Sequence, residues 1–84
     1  NMPRESSDRI AIANANVPNM VGQISTALAE AKLNIHNMVN KSRGDMAYTL
    51  VDVDSTVKRN VIDAIRKIEG VLDVRYLPLE GMHD

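Results

Sequence analysis

The sequence predicts an α+β sandwich: a four-stranded antiparallel sheet with two helices on one face. Three observations carry this. Apolar residues alternate with others in four short runs, as on strands with one buried face, and recur at helical spacing in two longer ones. The order of these runs is βαββαβ, two similar βαβ halves of nearly equal length. Right-handed βαβ units set side by side give the strand order 4-1-3-2, which is the ferredoxin-like arrangement.

The first run, "RIAIAN" (9–14), sets Ile10 and Ile12 against alanines. Over 18–32 the spacing turns helical, with Val21, Ile24, Leu28 and Ala31 on one face. Pro18 suits the first turn, and Asn16 or Asn19 is placed to cap it. "NIHNMVNKS" (34–42) and "DMAYTLVDVD" (45–54) read as strands joined by a hairpin in which Gly44 takes positive φ. Asp54 or Ser55 would cap a second helix carried by Val57, Val61, Ile65 and Ile68 and ended by Gly70. The last strand, "VLDVRYL" (71–77), puts Leu72, Val74 and Tyr76 on one face, and Pro78 ends it. Residues 1–7 read as a linker remnant, 8–78 as the domain, and 79–84 as a tail.

Composition narrows the function. At 84 residues the chain is one domain. A domain this small buries only about 60–65% of its unfolded surface, so it benefits from a partner. The second strand lies at a sheet edge with few charges to repel a copy of itself, and the expected solution is a homodimer with one eight-stranded sheet. The absence of cysteine excludes disulfides, thiol nucleophiles and cysteine metal sites, and fits a reducing, cytoplasmic setting. A net charge of −1 and only two aromatics, Tyr48 and Tyr76, argue against nucleic acid. No run reaches the ~20 apolar residues of a membrane span.

No catalytic or cofactor-binding set is legible. His36 and His83 are far apart, no phosphate-binding glycine motif follows a strand, and no metal site is expected. Asp52 and Asp54 read as solvated turn and cap residues. The asparagines stand out instead: six of eight lie between positions 14 and 40. Asn14 ends the first strand, Asn16 is in the loop, Asn19 is in the first helical turn, and Asn34 opens the second strand ahead of Asn37 and Asn40. Amide side chains offer donors and acceptors, and a helix start offers free N–H groups, which together suit a zwitterion such as an amino acid. Capping alone is the simpler reading of Asn16 and Asn19.

The strand-end N-x-N-x-P loop, the L-N-I opening the second strand and the hairpin "GDMAYTLVDVD" resemble the ACT domain, in the form that closes D-3-phosphoglycerate dehydrogenase. The likeness covers about residues 8–78. It implies the same βαββαβ fold, side-by-side dimers, and feedback binding of L-serine at the dimer interface. It further implies that Asn14 and Asn16 hold the ligand with Asn34 of the neighbouring copy, while Asn19 lies at the helix start. Catalysis and an NAD cofactor would belong to a parent enzyme, with none in this fragment. The resemblance departs at three positions. Asn14 stands where histidine is frequent, Asn19 follows the proline where glycine is usual, and Lys32 replaces a helix-exit glycine. Lys32 is expected to forgo the left-handed cap that glycine gives. The leading expectation is a serine-binding regulatory domain. The alternatives are a purely structural dimerisation module, or a sensor of another amino acid in a different protein.

Overall fold

The computed structural model describes residues 8–78. The elements are β1 (Asp8–Ala15), α1 (Met20–Glu30), β2 (Ile35–Arg43), β3 (Met46–Val53), α2 (Arg59–Arg66) and β4 (Val71–Pro78). The strands form one antiparallel sheet in the order β2-β3-β1-β4, the expected order read from the other edge. The readings of residues 1–7 and 79–84, and of His83, fall outside the described residues.

Alternation along β1 sorts the two sheet faces. Asp8, Ile10, Ile12 and Asn14 are buried, while Arg9, Ala11, Ala13 and Ala15 are partly open. Ile10 and Ile12 meet Val51 on β3, Val74 on β4, Ile24 and Leu28 of α1, and Val61, Ile62 and Ile65 of α2 in one core. Met20 is fully buried at the start of α1, whereas Val21 is only half-buried, so the core stripe begins one residue earlier than its spacing suggests. A two-residue turn, Gly44–Asp45, joins β2 to β3. Gly44 has φ 62° and Asp45 is not left-handed, the pattern of a type II′ hairpin with glycine first.

Four local expectations are corrected. Asp52 is not a solvated end residue: it is fully buried and lies opposite Arg9 on the sheet face away from the helices. The Arg9 guanidinium grips it with two bonds, Nε to Oδ1 at 2.7 Å and an Nη to Oδ2 at 3.0 Å. That pairing holds the guanidinium's pKa above its ordinary value, chiefly through the hydrogen bond to Asp52. Leu72 is not on the core face. Asp73 faces Ala13 but Val71 faces Asn14, so Leu72 is the extra residue of a bulge and is 62% exposed. Val71 packs against the core in its stead.

The start of α2 also differs. It begins at Arg59 after an extended Lys58, without a side-chain cap; Asp54 instead accepts from Asn34, and Ser55 donates to Asp54. The β3–α2 loop is anchored by Tyr76: the Val57 N–H donates to its Oη at 3.0 Å, and its O–H donates to the Asp8 carboxylate. Burial first, and then the bond to Asp8, hold the phenol's pKa above its usual value. Finally, Lys32 keeps the left-handed exit conformation it was expected to forgo, with φ 62°. A side chain in that region costs roughly 1–2 kcal/mol, so packing of the following Leu33 into the core must hold the turn.

These corrections set two substitutions apart. Asp52→Ala removes a fully buried carboxylate and the two bonds it accepts from the part-buried Arg9 guanidinium, and should destabilise the fold by about 1.5–3 kcal/mol. Leu72→Ala removes an exposed side chain and should change stability by about 0.5 kcal/mol or less. Urea denaturation of the two variants measures both; equal effects would contradict the bulge.

Candidate functional site

The four sequence-predicted site residues divide between the two ends of the sheet. Asn14, Asn16 and Asn19 follow one another from the end of β1 to the start of α1, beside the β2–β3 hairpin. Asn34 precedes β2 at the other end, where Ile35 pairs with Val53 and Val53 with Asp8. A single chain therefore does not bring Asn34 to the other three. Antiparallel pairing of β2 with β2 of a second copy would set the Asn34 end of one strand beside the hairpin end of the other.

At the hairpin end the backbone is held first. The Ala15 N–H donates to Gly70 O at 2.7 Å and the Asn16 N–H to Asp45 O at 2.8 Å. The Asn16 side chain adds a third tie, Nδ2 to Gly44 O at 3.1 Å. Asn14 lies beneath this loop with 1% exposure, on the helix-facing side. Its Nδ2 donates to Ala15 O at 2.9 Å, and its Oδ1 accepts the Thr49 hydroxyl at 3.0 Å. Thr49 in turn accepts Nδ2 of Asn40, on the edge strand, at 2.8 Å. Asn14 is thus a buried, internally satisfied residue, joined through a fully buried threonine to an exposed asparagine on β2.

The start of α1 carries no side-chain cap bond. Asn19 is the residue before the helix and has φ 68°; asparagine is one of the few residues that visit this region readily. The conformation that suits glycine after the proline is therefore kept, and Pro18 lies in the preceding turn rather than in the helix. No side chain caps the helix: the expected bonds from Asn16 or Asn19 are not made, and no acidic residue stands in the first turn. The N–H groups of Met20, Val21 and Gly22 precede the first helical bond, Gln23 N–H to Asn19 O, and form a partial positive end. The side chain of Asn19 lies over Gly22, so close that a Cβ there would sit 2.7 Å from its Oδ1.

At the far end, Asn34 is clasped by Asp54. Its backbone N–H donates to Oδ1 at 3.2 Å, its Nδ2 to Oδ2 at 3.0 Å, and Asp54 N–H returns a bond to Asn34 O at 3.1 Å. These bonds, led by the Asn34 amide, hold the Asp54 carboxyl below the usual carboxylate range. His36 sits exposed where β2 bulges against β3, far from the hairpin end. Among the described residues no cluster of three His, Cys, Asp or Glu could hold a metal ion, and no helix is long and apolar enough to cross a membrane.

No family model and no curated protein matches the chain. Solved structures do. The crystal structure of the ACT domain from the GTP pyrophosphokinase of Chlorobium tepidum is similar at TM-score 0.72 and 20% identity, covering 86% of this chain and 97% of that one. The ligand-free regulatory subunit of aspartate kinase from Thermus thermophilus is similar at TM-score 0.71 and 13% identity, over 87% of this chain and 51% of that one. The C-terminal domain of the MgtC protein from Mycobacterium tuberculosis gives TM-score 0.66 at 9% identity, over 92% and 93%. At these identities the likeness is one of fold: the chain has the ferredoxin-like fold of ACT domains.

The Asn34–Asp54 clasp has a measurable signature. Asp54 is depressed in the folded state, so its stabilisation is complete above the unfolded value of about 4 and is lost as pH falls through the lower folded value. Asn34→Ala removes the side-chain amide bond, the main cause of the depression, and should move the Asp54 carboxyl back toward that ordinary value. Carboxyl-carbon NMR titration of the two proteins follows the change directly; an unmoved midpoint would mean that the clasp is not formed in solution.

Proposed function

We propose that this chain is a regulatory amino-acid-binding domain that dimerises through β2 and takes one amino acid, L-serine in the leading reading, at each end of the paired edge. The observation that carries the proposal is the setting of the asparagines. An uncapped helix start offers N–H groups to a carboxylate, with Asn16 beside it, while Asn34 stands at the end of β2 that a second copy would bring to the same place. Asn14 underpins the loop and Asn19 shapes the helix start. The resemblance to the domain that closes D-3-phosphoglycerate dehydrogenase points to serine and to that NAD-dependent oxidoreductase as the parent. The fold shared with the ACT domain of a GTP pyrophosphokinase and with a regulatory subunit of aspartate kinase supports regulation of an enzyme more generally.

The mechanism follows from where the ligand sits. An amino acid bridging the β1–α1 loop of one copy and the β2 end of another binds one arrangement of the pair better than others. It therefore shifts the pair toward that arrangement by its differential affinity, and whatever is joined to the domain moves with it. A second reading, a dimerisation module without effector, is favoured by Asn14, whose amide is satisfied within the chain.

Thermal melting separates the two. With serine at ~100 times its dissociation constant, the folded state should gain about 2.7 kcal/mol. For a domain of this size that raises the midpoint by roughly 4–8 °C per kcal/mol. The shift should vanish in Asn16→Ala and Asn34→Ala, with the dimer retained by sedimentation. A dimer whose midpoint no amino acid moves at millimolar concentration would leave only the structural module.

A further inference from the structure

Both helices pack on one face of the sheet, and the middle of the other face is left partly open. Strand pairing sets the side chains of that open face in rows. Asp73 of β4, Ala13 of β1, Tyr48 of β3 and Lys41 of β2 lie level with one another. Arg75, Ala11, Leu50 and Val39 form the next row, and Leu77, Arg9, Asp52 and Asn37 a third. In the first two rows β1 contributes only alanines, while β3 beside it contributes Tyr48, 62% exposed, and Leu50. A hollow of about 110 Å³ results, with Ala11 and Ala13 as its floor, Tyr48 and Leu50 on one side and Asp73 and Arg75 on the other. Charge is divided as well: in the first row the acid stands at the β4 edge and the base at the β2 edge.

A second copy laid against this face can be related to the first by a two-fold axis along the strands or across them. An axis along the strands keeps every row level and exchanges β1 with β3 and β4 with β2. Tyr48 and Leu50 of one copy then stand over Ala13 and Ala11 of the other, and Asp73 stands over Lys41. Each ridge meets a hollow and the acid meets a base. In the third row Arg9 stands over Asp52 of the other copy, so like charges are kept apart there too. An axis across the strands instead exchanges the first two rows. It sets Tyr48 on Leu50 and alanine on alanine, so ridges collide while the hollows stay empty. Sheets pack face to face at about 10 Å with their side chains interdigitated, which only the first arrangement allows.

We propose that the open face is an interaction surface for a second copy of this chain, packed about a two-fold axis along the strands, with Tyr48 as its ridge and the Ala11–Ala13 hollow as its socket. The surface is separate from the β2 edge and does not rest on the reading of an amino-acid site. Asp73 keeps its charge available: its Oδ1 accepts the Val74 N–H at 2.9 Å, and its pairing with Arg75 is exposed and long, at 3.5 Å. Four strands and three rows cover roughly 400 Å² per copy at the usual strand and residue spacings, about half of the ~800 Å² that a stable interface takes from each partner. The association is therefore weak and concentration-dependent.

Sedimentation of the whole chain, followed up to millimolar concentration, tests this beside three variants: Ala13→Arg, which fills the hollow, and the charge reversals Lys41→Asp and Asp73→Lys. One association step should be lost in Ala13→Arg. Each reversal alone should weaken that step about tenfold, since a two-fold contact contains the pair twice, and both together should restore it. Lys41 and Asp73 stand three strand spacings apart in one chain, about 14 Å, so restoration reads a contact between copies. Both are exposed, so the rescue decides the matter even where Ala13→Arg fails to fold. Association unchanged in Ala13→Arg, or reversals that do not rescue each other, overturns the proposal, and a dimer that persists is then the one at the β2 edge. Loss of every dimer in a folded Ala13→Arg upholds this face and removes the β2 edge. A chain that stays monomeric at millimolar concentration overturns both.

Discussion

The central position of β1 is the constraint on which the molecule depends. It is hydrogen-bonded to β3 on one side and β4 on the other, so its residues from Asp8 to Asn14 have a fixed partner in both directions. A one-residue slip would exchange Ile10 and Ile12 for Ala11 and Ala13 in the core, and so the register is set by burial. Three of the long-range polar contacts described above use that register. Asp8 reaches Tyr76 and through it the approach to α2; Arg9 covers Asp52; Asn14 meets Thr49. The strand that organises the core also delivers the loop of the candidate site, because it ends where Gly70 and Asp45 hold Ala15 and Asn16.

How much of this was legible in the sequence depends on the range of the interaction. Periodicity is local, and it yielded six elements in the right order, the core face of β1 and the Gly44 turn. What it missed are contacts across sequence. Asp52 looks like a solvated acid beside Asp54 because nothing nearby in the chain announces Arg9, which is 43 residues away. Leu72 looks like a core residue because alternation assumes an unbroken ladder, and a bulge on an edge strand breaks it. The start of α2 was misplaced for a related reason: Asp54 and Ser55 are good caps, but Asp54 is taken up by Asn34 and Ser55 by Asp54.

The candidate site shows the same division. The clustering of Asn14, Asn16 and Asn19 is a short-range pattern and could be read directly. That Asn34 acts from a neighbouring copy was implied by the resemblance alone; the strand pairing adds that within one chain it lies at the opposite end of the sheet from the other three. Thr49 carries no local signal at all. In sequence it is one more residue of an apolar strand, and only its position opposite Ile12, between β1 and the edge, makes it the joint between Asn14 and Asn40.

That joint also explains why a polar row survives at the end of so small a core. A hydroxyl and an amide under the loop would each be costly if unpaired. Chained to a backbone carbonyl they are satisfied, and the chain has a direction, since each donor is fixed by the acceptor before it. The direction ends at the surface in the exposed Asn40 amide, whose Nδ2 is the atom committed to Thr49. Thr49 is therefore what fixes which way the Asn40 amide faces, and the polar row depends on it from one end to the other.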